Sequence, residues 1–275
     1  MHPDFESMTV GGLQLRYFSS GEGTPTVVLD QGHGISVEES LTRSRTIGWA
    51  HVVGEVSKST RMFVHDRAGL GWSDAAPHPR ASLEMVEDLH ALLEKAQIPP
   101  PYVLVGHSLG GFNVRVFAGR YPNEVAGMVL VDSSHPDQWA RYADIVPRET
   151  PTDGPLLNRI RRQFSTLNLV GGIDLKASAT QVRDINWLGT KPLVVVSRSP
   201  HSMPAPIPRL PADVAQEMEK VWSELQADLV TLSANSRQVI ANHAGHLIQM
   251  EEPQLVIDAI TDVVRQVQVG VPSLH

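Results

Sequence analysis

A serine stands between two glycines where the chain predicts a change from strand to helix. The short apolar run Tyr102–Val105 leads into Gly106-His-Ser-Leu-Gly110, and the following segment Phe112–Arg120 has the character of a helix. A sharp turn from strand to helix forces the serine into strained backbone angles, and glycines leave the space that this turn needs. The N–H groups at the start of a helix also favour a negatively charged oxygen. The pattern therefore predicts that the Ser108 hydroxyl projects from a sheet as a nucleophile.

A serine hydroxyl needs a neighbouring base to remove its proton, and the sequence contains twelve histidines. His246 closes the segment Asn242-His-Ala-Gly-His246, which follows a predicted strand and precedes the last predicted helix. In a parallel sheet this loop lies at the same strand end as Ser108. A metal site of His243 and His246 is the alternative, but no further ligands stand at a recognisable spacing. For His107, inside the turn, packing is favoured over catalysis.

The elements that must position these residues alternate between short β-branched runs and longer amphipathic segments, which is typical of parallel strands connected by helices. The predicted strands are Leu13–Phe18, Thr26–Leu29, Met62–His65, Tyr102–Val105, Gly127–Val131, Leu193–Val196 and Gln238–Ala241. The predicted helices are Ser82–Gln97, Phe112–Arg120, Ala212–Leu232 and Pro253–Val267. Ser82 is the expected N-cap of the first of these. The fold class is α/β, with a mostly parallel central sheet flanked by helices.

The segment 133–190 interrupts this alternation. It contains helix-like stretches at Pro155–Phe164 and Ala179–Leu188 and no convincing strand. We interpret it as a helical cap inserted into a core domain of residues 1–132 and 191–275. A second irregular stretch, Ser197–Pro211, carries five prolines and predicts a surface loop.

The amino-acid composition of the chain disfavours some classes of binding partner and excludes some classes of functional site. The chain has 23 Lys and Arg against 30 Asp and Glu, a net charge of −7, so nothing favours nucleic acid or an anionic membrane. The absence of cysteine excludes a thiol nucleophile, a disulfide framework and a Cys-ligated metal centre. The acidic N-terminal residues and the strand-length apolar runs predict a soluble, cytoplasmic protein, and the oligomeric state stays open.

The chain resembles the α/β-hydrolase family over nearly its whole length, because it contains four motifs in the same order as members of that family. The motifs are Val28-Leu-Asp-Gln-Gly-His-Gly34, His65-Asp-Arg-Ala-Gly-Leu-Gly-Trp-Ser-Asp74, the serine turn itself, and Gly245-His246 followed by Glu252-Pro253. The resemblance implies the α/β-hydrolase fold. It also implies that the backbone N–H groups of His33 and Leu109 form an oxyanion hole, and that the second motif is a structural turn.

The acid departs from the commonest pattern of this family, which places an aspartate just beyond the strand Leu193–Val196. Here Ser197-Arg-Ser-Pro-His follows that strand. Some members carry the acid at the end of the preceding strand, where Asp132 stands. An aspartate at a strand end also caps nearby N–H groups, and Asp137 is a second candidate acid. The triad that the resemblance implies is Ser108, His246 and Asp132.

The expected function is a serine hydrolase that cleaves a small carboxylic ester or lactone through an acyl-enzyme, with no metal and no organic cofactor. Hydrolysis of an amide, thioester or carbon–carbon bond, cofactor-free perhydrolysis, and a ligand receptor with little turnover are alternatives on the same fold. Caps of this family cover the substrate pocket, so aromatic residues of the cap either line an apolar cleft above the serine or attach the cap to the sheet. These residues are Trp139, Tyr142, Phe164 and Trp187.

Overall fold

The described part of the molecule contains one large, mostly parallel sheet. The structure is a computed structural model that describes residues 4–34, 36–42, 48–145, 169–170, 172–200 and 212–270. The strands are β1 Glu6–Val10, β2 Leu13–Ser20, β3 Thr26–Asp30, β4 Met62–His65, β5 Tyr102–His107, β6 Val125–Val131, β7 Leu169–Val170, β8 Ile173–Asp174, β9 Leu193–Ser197 and β10 Ser236–Ile240. Their order in the large sheet is β1-β2-β4-β3-β5-β6-β9-β10, and β7 and β8 form a separate hairpin.

The register of the parallel strands brings their carboxyl ends to one edge of the sheet. Strand β2 runs antiparallel to β1 and β4, whereas β3, β4, β5, β6, β9 and β10 run parallel. Asp30 at the end of β3 pairs with Gly106, and His107 at the end of β5 pairs with Val131. The residues that follow β3, β5 and β6 therefore meet at one edge, where open α/β sheets bind their ligands.

Helices cover both faces of the sheet. They are α1 Val37–Thr42, α2 Ala50–Val56, α3 Ser82–Lys95, α4 Gly110–Arg120, α5 Gln138–Ile145, α6 Leu175–Arg183, α7 Ala212–Val230, α8 Ile248–Glu251 and α9 Pro253–Gly270. Alternate residues of each strand face opposite apolar layers: in β5, Leu104 joins the layer of α3, α4 and α6, and Val103 joins that of α2 and α9. Among the helices described, none has the length and apolar character needed to cross a membrane.

The predicted fold class is confirmed, and all seven predicted strands are present with ends that differ by at most two residues. Strand β1 was not predicted. It lies at the edge of the sheet with most of its side chains exposed or half-buried, so its residues lack the continuous apolar pattern of a buried strand.

Tertiary contacts explain the differences among the helices. The predicted N-cap at Ser82 is wrong: Ala81 occupies that position, and the Glu84 carboxylate accepts its N–H at 2.8 Å. The Ser82 N–H instead donates to Ser178 Oγ on α6 at 3.0 Å. Helix α6 begins at Leu175, four residues before the prediction, because the Asp174 carboxylate caps it through the Ala177 N–H.

The insertion contains more structure than its pattern indicated. Helix α5 and the β7–β8 hairpin were not predicted, whereas Pro155–Phe164 and residues 201–211 of the predicted loop lie outside the described residues. Helix α6 packs against α3 and α4, and its Leu175, Ala179 and Val182 join the apolar layer on that face of the sheet. The division into core and cap stays a prediction.

Gly127 in β6 provides a test of this packing. A Cβ at this position would lie 2.5 Å from Val263 Cγ1 of α9 and 3.2 Å from Pro192 Cγ. We expect Gly127→Ala to lower the free energy of unfolding by about 1–3 kcal/mol, measured by urea denaturation. Exposed Gly54 of α2 is the matched control: an added Cβ meets no atom within 4 Å, so Gly54→Ala should raise stability by about 0.5–1 kcal/mol. Similar effects of the two substitutions would contradict the packing account.

Candidate active site

Ser108 occupies a strained turn between β5 and α4. Its φ is 53°, in the left-handed region that non-glycine residues avoid. The turn is held from both sides, because the Ser108 N–H donates to the Val131 carbonyl at 3.2 Å and its own carbonyl accepts the Ser134 N–H at 2.9 Å. The Ser108 hydroxyl makes no hydrogen bond to another described residue, which is common for nucleophiles without substrate.

The glycines around the serine are required by close contacts. A Cβ on Gly110 would overlap the backbone carbonyl of Asp30, and one on Gly111 would overlap the Ser133 side chain. The turn therefore packs directly against the residues that end β3 and follow β6. This contact brings three neighbouring strand ends together around Ser108.

His246 and Asp132 form a close hydrogen bond. Nδ1 of His246 lies 2.6 Å from Oδ2 of Asp132, across 114 positions of sequence. Asp132 follows β6 directly and is fully buried, with a φ of 39°. The other candidate acid, Asp137, accepts instead from Arg183 of α6 at 2.8 Å. The structure thus brings Asp132 to the histidine and leaves Asp137 elsewhere.

The second carboxylate oxygen of Asp132 has two donors that the sequence did not reveal. Oδ1 accepts the backbone N–H of Arg198 at 3.1 Å and the indole N–H of Trp222 at 3.0 Å. Arg198 lies just beyond β9, where the commoner acid of the family would stand. Trp222 is one of the buried residues of α7, and its spacing along this helix gives no sign of a polar role.

The loop that carries His246 is fixed by its surroundings. Glu252 accepts the His243 N–H at 2.6 Å, and Glu251 accepts the Gly245 N–H at 2.8 Å. Nε2 of His107 donates to the His246 carbonyl at 3.0 Å. Burial, with His246 as a second cause, lowers the pKa of His107 to about 3, so its imidazole is neutral. Within the described residues, no group of three or more histidine or acidic side chains is arranged to bind a metal ion.

The loop after β3 lies against the serine turn. A Cβ added to Gly32 would be 3.4 Å from Ser108 Cβ and 2.9 Å from His107 Nδ1. The side chain of His33 is exposed. Neither the N–H of His33 nor that of Leu109 donates a hydrogen bond to another described residue.

The four aromatic residues expected near the pocket do not share one environment. Trp139 and Tyr142 of α5 pack against α7, with their two ring centroids 6.2 Å apart, and their place in a pocket stays a prediction. Trp187 is 59% exposed and precedes Leu188, whose N–H donates to the Leu232 carbonyl near the amino end of β9. Ser108 lies at the opposite, carboxyl edge of the sheet, and a pocket role for Trp187 stays a prediction. Phe164 lies outside the described residues.

Comparisons with known proteins identify the fold. A family model described as alpha/beta hydrolase fold matches residues 44–166. The uncharacterized protein YqjL of Bacillus subtilis (strain 168) is 27% identical over 246 residues, which cover 88% of this chain and 85% of YqjL. Several other relatives are longer, and the matched part is 40% or less of their length.

Two solved structures illustrate the similarity of the fold. A thermophilic esterase from Thermogutta terrifontis has a TM-score of 0.58 and 21% identity, with 95% of this chain and 97% of that chain covered. A meta-cleavage product hydrolase from Pseudomonas fluorescens IP01, solved in complex with acetates, has a TM-score of 0.63 and 16% identity at the same coverage. With the sheet order, these findings show that the chain has the α/β-hydrolase fold.

Asp66, which follows β4, provides a pH-dependent test of this edge of the sheet. Its Oδ1 accepts the Val37 N–H of α1 at 2.6 Å, and its Oδ2 is buried without a partner among the described residues. Burial raises the pKa of Asp66 from 3.8 to about 6, despite the hydrogen bond from Val37 and nearby positive charges. The folded state therefore binds this proton more tightly, and its contribution to stability falls as the pH rises from about 4 to about 6.

Asp66→Asn keeps an acceptor for Val37 but does not ionise. Compared with the wild type, the variant should gain about 3 kcal/mol in free energy of unfolding between pH 4 and pH 8. Urea denaturation of both proteins at intervals across this range measures the change. A difference between them that is independent of pH would contradict the raised pKa.

Proposed function

We propose that this protein is a serine hydrolase that cleaves a small carboxylic ester or lactone. Ser108 is the nucleophile, His246 the general base and Asp132 the residue that orients the imidazole. The observation that carries the proposal is the 2.6 Å hydrogen bond from His246 Nδ1 to the buried Asp132. The His246 ring lies 4.8 Å from that of His107, which directly precedes the serine held at a φ of 53°. With Nδ1 protonated, Nε2 is the basic nitrogen available to the serine.

The first half-reaction forms the acyl-enzyme. Ser108 Oγ bonds to the carbonyl carbon, its proton passes to His246 Nε2, and the π electron pair of the carbonyl moves to oxygen. The N–H groups of His33 and Leu109 stabilise this oxyanion. The electron pair then returns, the bond to the leaving oxygen breaks, and the leaving group takes the proton from His246.

The second half-reaction repeats these steps with water. His246 removes a proton from the water as it attacks the acyl carbon, and the bond to Ser108 Oγ breaks. Ser108 regains a proton from His246, and a carboxylic acid is released. Asp132 stays ionised in both halves and stabilises the imidazolium that forms twice per turnover.

Ester or lactone cleavage has support from the likeness to the Thermogutta terrifontis protein, which is named an esterase. The likeness to a meta-cleavage product hydrolase favours hydrolysis of a carbon–carbon bond as the second candidate. Both reactions use the same triad, so substrate panels separate them. The mechanism uses only the residues of this chain and requires no metal or organic cofactor.

Removal of the nucleophile tests the proposal directly. Ser108→Ala should lower kcat for p-nitrophenyl butyrate by about 10³-fold or more and abolish labelling by a fluorophosphonate, because the triad acts as one unit. Ser134→Ala is the control: its backbone N–H, which holds the turn, is retained, so labelling should persist. Substantial turnover by Ser108→Ala, or unchanged labelling, would refute the acyl-enzyme.

Trp222 should act through Asp132, because its indole N–H donates to this carboxylate. Trp222→Phe keeps an aromatic ring, removes the donor and should lower kcat about 3- to 10-fold, since one of several bonds to a charged group is lost. Asp132→Asn by itself should lower kcat about 10⁴-fold. In that background, Trp222→Phe should change kcat less than about 2-fold.

Trp139→Phe is the control for this cycle, since Trp139 of α5 packs against the apolar cluster that contains Trp222. It should leave kcat in both backgrounds within about 2-fold, because the change removes no donor to the acid. Equal losses for Trp222→Phe in the two backgrounds would show that Trp222 acts independently of Asp132. Thermal denaturation checks that each variant is folded.

A further inference from the structure

A buried ion cluster lies beneath the loop that precedes the predicted oxyanion donor. Arg67, in the segment after β4, pairs with Asp30 at the end of β3, and its side chain is 4% exposed. Asn113 of α4 donates to the second Asp30 oxygen at 3.1 Å, and His65 Nε2 lies 3.5 Å from that oxygen. Burial alone would raise the pKa of Asp30, but Arg67, His65 and Asn113 together bring it below its usual value. The centre of the cluster is thus an ion pair between the buried Asp30 carboxylate and the buried Arg67 guanidinium.

The same guanidinium holds two backbone carbonyls of the loop. Nη1 of Arg67 donates to the Gln31 carbonyl at 2.7 Å, and Nη2 donates to the Gly32 carbonyl at 2.8 Å. The planar fork of arginine makes these contacts while it pairs with Asp30, which a lysine ammonium on a flexible stem does not reproduce. The direction of the Gly32 carbonyl is therefore set by Arg67.

This contact also determines the direction of the next N–H. The Gly32–His33 peptide bond is trans, since the cis bonds of the described residues are those before Pro25 and Pro101. In a trans peptide the carbonyl and the N–H point in opposite directions. With the Gly32 carbonyl directed at Arg67, the His33 N–H is directed away from it. That N–H has no partner among the described residues, and Gly32 lies against Ser108.

We propose that Arg67 is a positioning residue that aligns the His33 N–H with the oxyanion formed at Ser108. The inference rests on the proposed hydrolase function, and Arg67 touches neither the substrate nor the reacting atoms. Buried ion pairs contribute little net stability, because the cost of removing two charges from water offsets their attraction. The role of Arg67 to be tested is therefore the orientation of the loop that precedes His33, not a contribution to stability.

Misalignment of the His33 N–H should affect kcat much more than KM. An oxyanion donor acts on the tetrahedral intermediate and much less on the bound ester, so its misalignment lowers kcat and leaves KM nearly unchanged. A trifluoromethyl ketone forms an adduct with the enzyme that resembles this tetrahedral intermediate. Its carbonyl carbon bonds to Ser108 Oγ, the serine proton passes to His246, and the carbonyl oxygen becomes an anion.

The experiment compares Arg67→Lys and Arg67→Gln with the wild type. For p-nitrophenyl butyrate, kcat per fluorophosphonate-titrated site should fall about 10- to 100-fold, and Ki for a trifluoromethyl ketone with a matched alkyl chain should rise by a similar factor. KM should change less than about 3-fold. Titration of the reactive serine restricts the comparison to folded enzyme.

Asn113→Ala is the matched control, because it removes a bond to Asp30 and leaves both carbonyl contacts of Arg67 in place. It should lower the melting temperature while Ki for the ketone stays within about 3-fold of the wild type. An unchanged Ki in Arg67→Lys, or an equal rise in Asn113→Ala, would overturn the proposal. A wild-type enzyme that neither reacts with fluorophosphonate nor hydrolyses esters would instead refute the proposed function.

A measurement on the wild type tests the donor that Arg67 is proposed to align, and it does not depend on the folding of the Arg67 variants. In protein labelled with ¹⁵N-histidine, the His33 amide proton should move downfield when the ketone adduct forms, because it then donates to an anionic oxygen. Assignment of this signal comes from His33→Gln. An amide proton of His33 that does not move on adduct formation would overturn the proposal.

Discussion

The left-handed turn at Ser108 is the constraint on which the rest of the site depends. A non-glycine residue in this region costs about 1–3 kcal/mol and persists only where its surroundings hold it there. Here β6 and the segment after it supply two backbone hydrogen bonds, and Gly110 packs against the Asp30 carbonyl of β3. The contacts that hold this strained turn thus join the proposed nucleophile to the strand ends that carry the proposed acid and the proposed oxyanion loop.

The position of the acid has consequences for the elements around it. Because Asp132 follows β6, the segment after β9 contributes a backbone donor to the carboxylate instead of a carboxylate of its own. Helix α7 contributes Trp222 to the same oxygen. The cluster in which α5 packs against α7 therefore adjoins the proposed catalytic acid, and the Trp222 hydrogen bond connects that packing to the site.

Most of the fold was predictable because buried parallel strands have a distinctive composition. Runs such as Tyr102–His107 are apolar on both faces, so their place in the sheet follows from pattern alone. Edge strand β1 has no such signal, since few of its side chains are buried. The start of α6 was misjudged because a carboxylate cap and contacts with α3, rather than its apolar spacing, determine where it begins.

For the site, the sequence by itself determined the strained serine turn and the loop that carries His246, because glycine spacing and the order of strand, turn and helix are local properties. It favoured Asp132 as the acid and kept Asp137 in reserve, since only folding decides which carboxylate reaches the imidazole across 114 positions. The contacts of Trp222 and Arg67 could not be predicted from the sequence for the same reason. An indole on an apolar helix face and an arginine in a turn acquire partners only when distant strands and helices pack together, which is a property of tertiary structure.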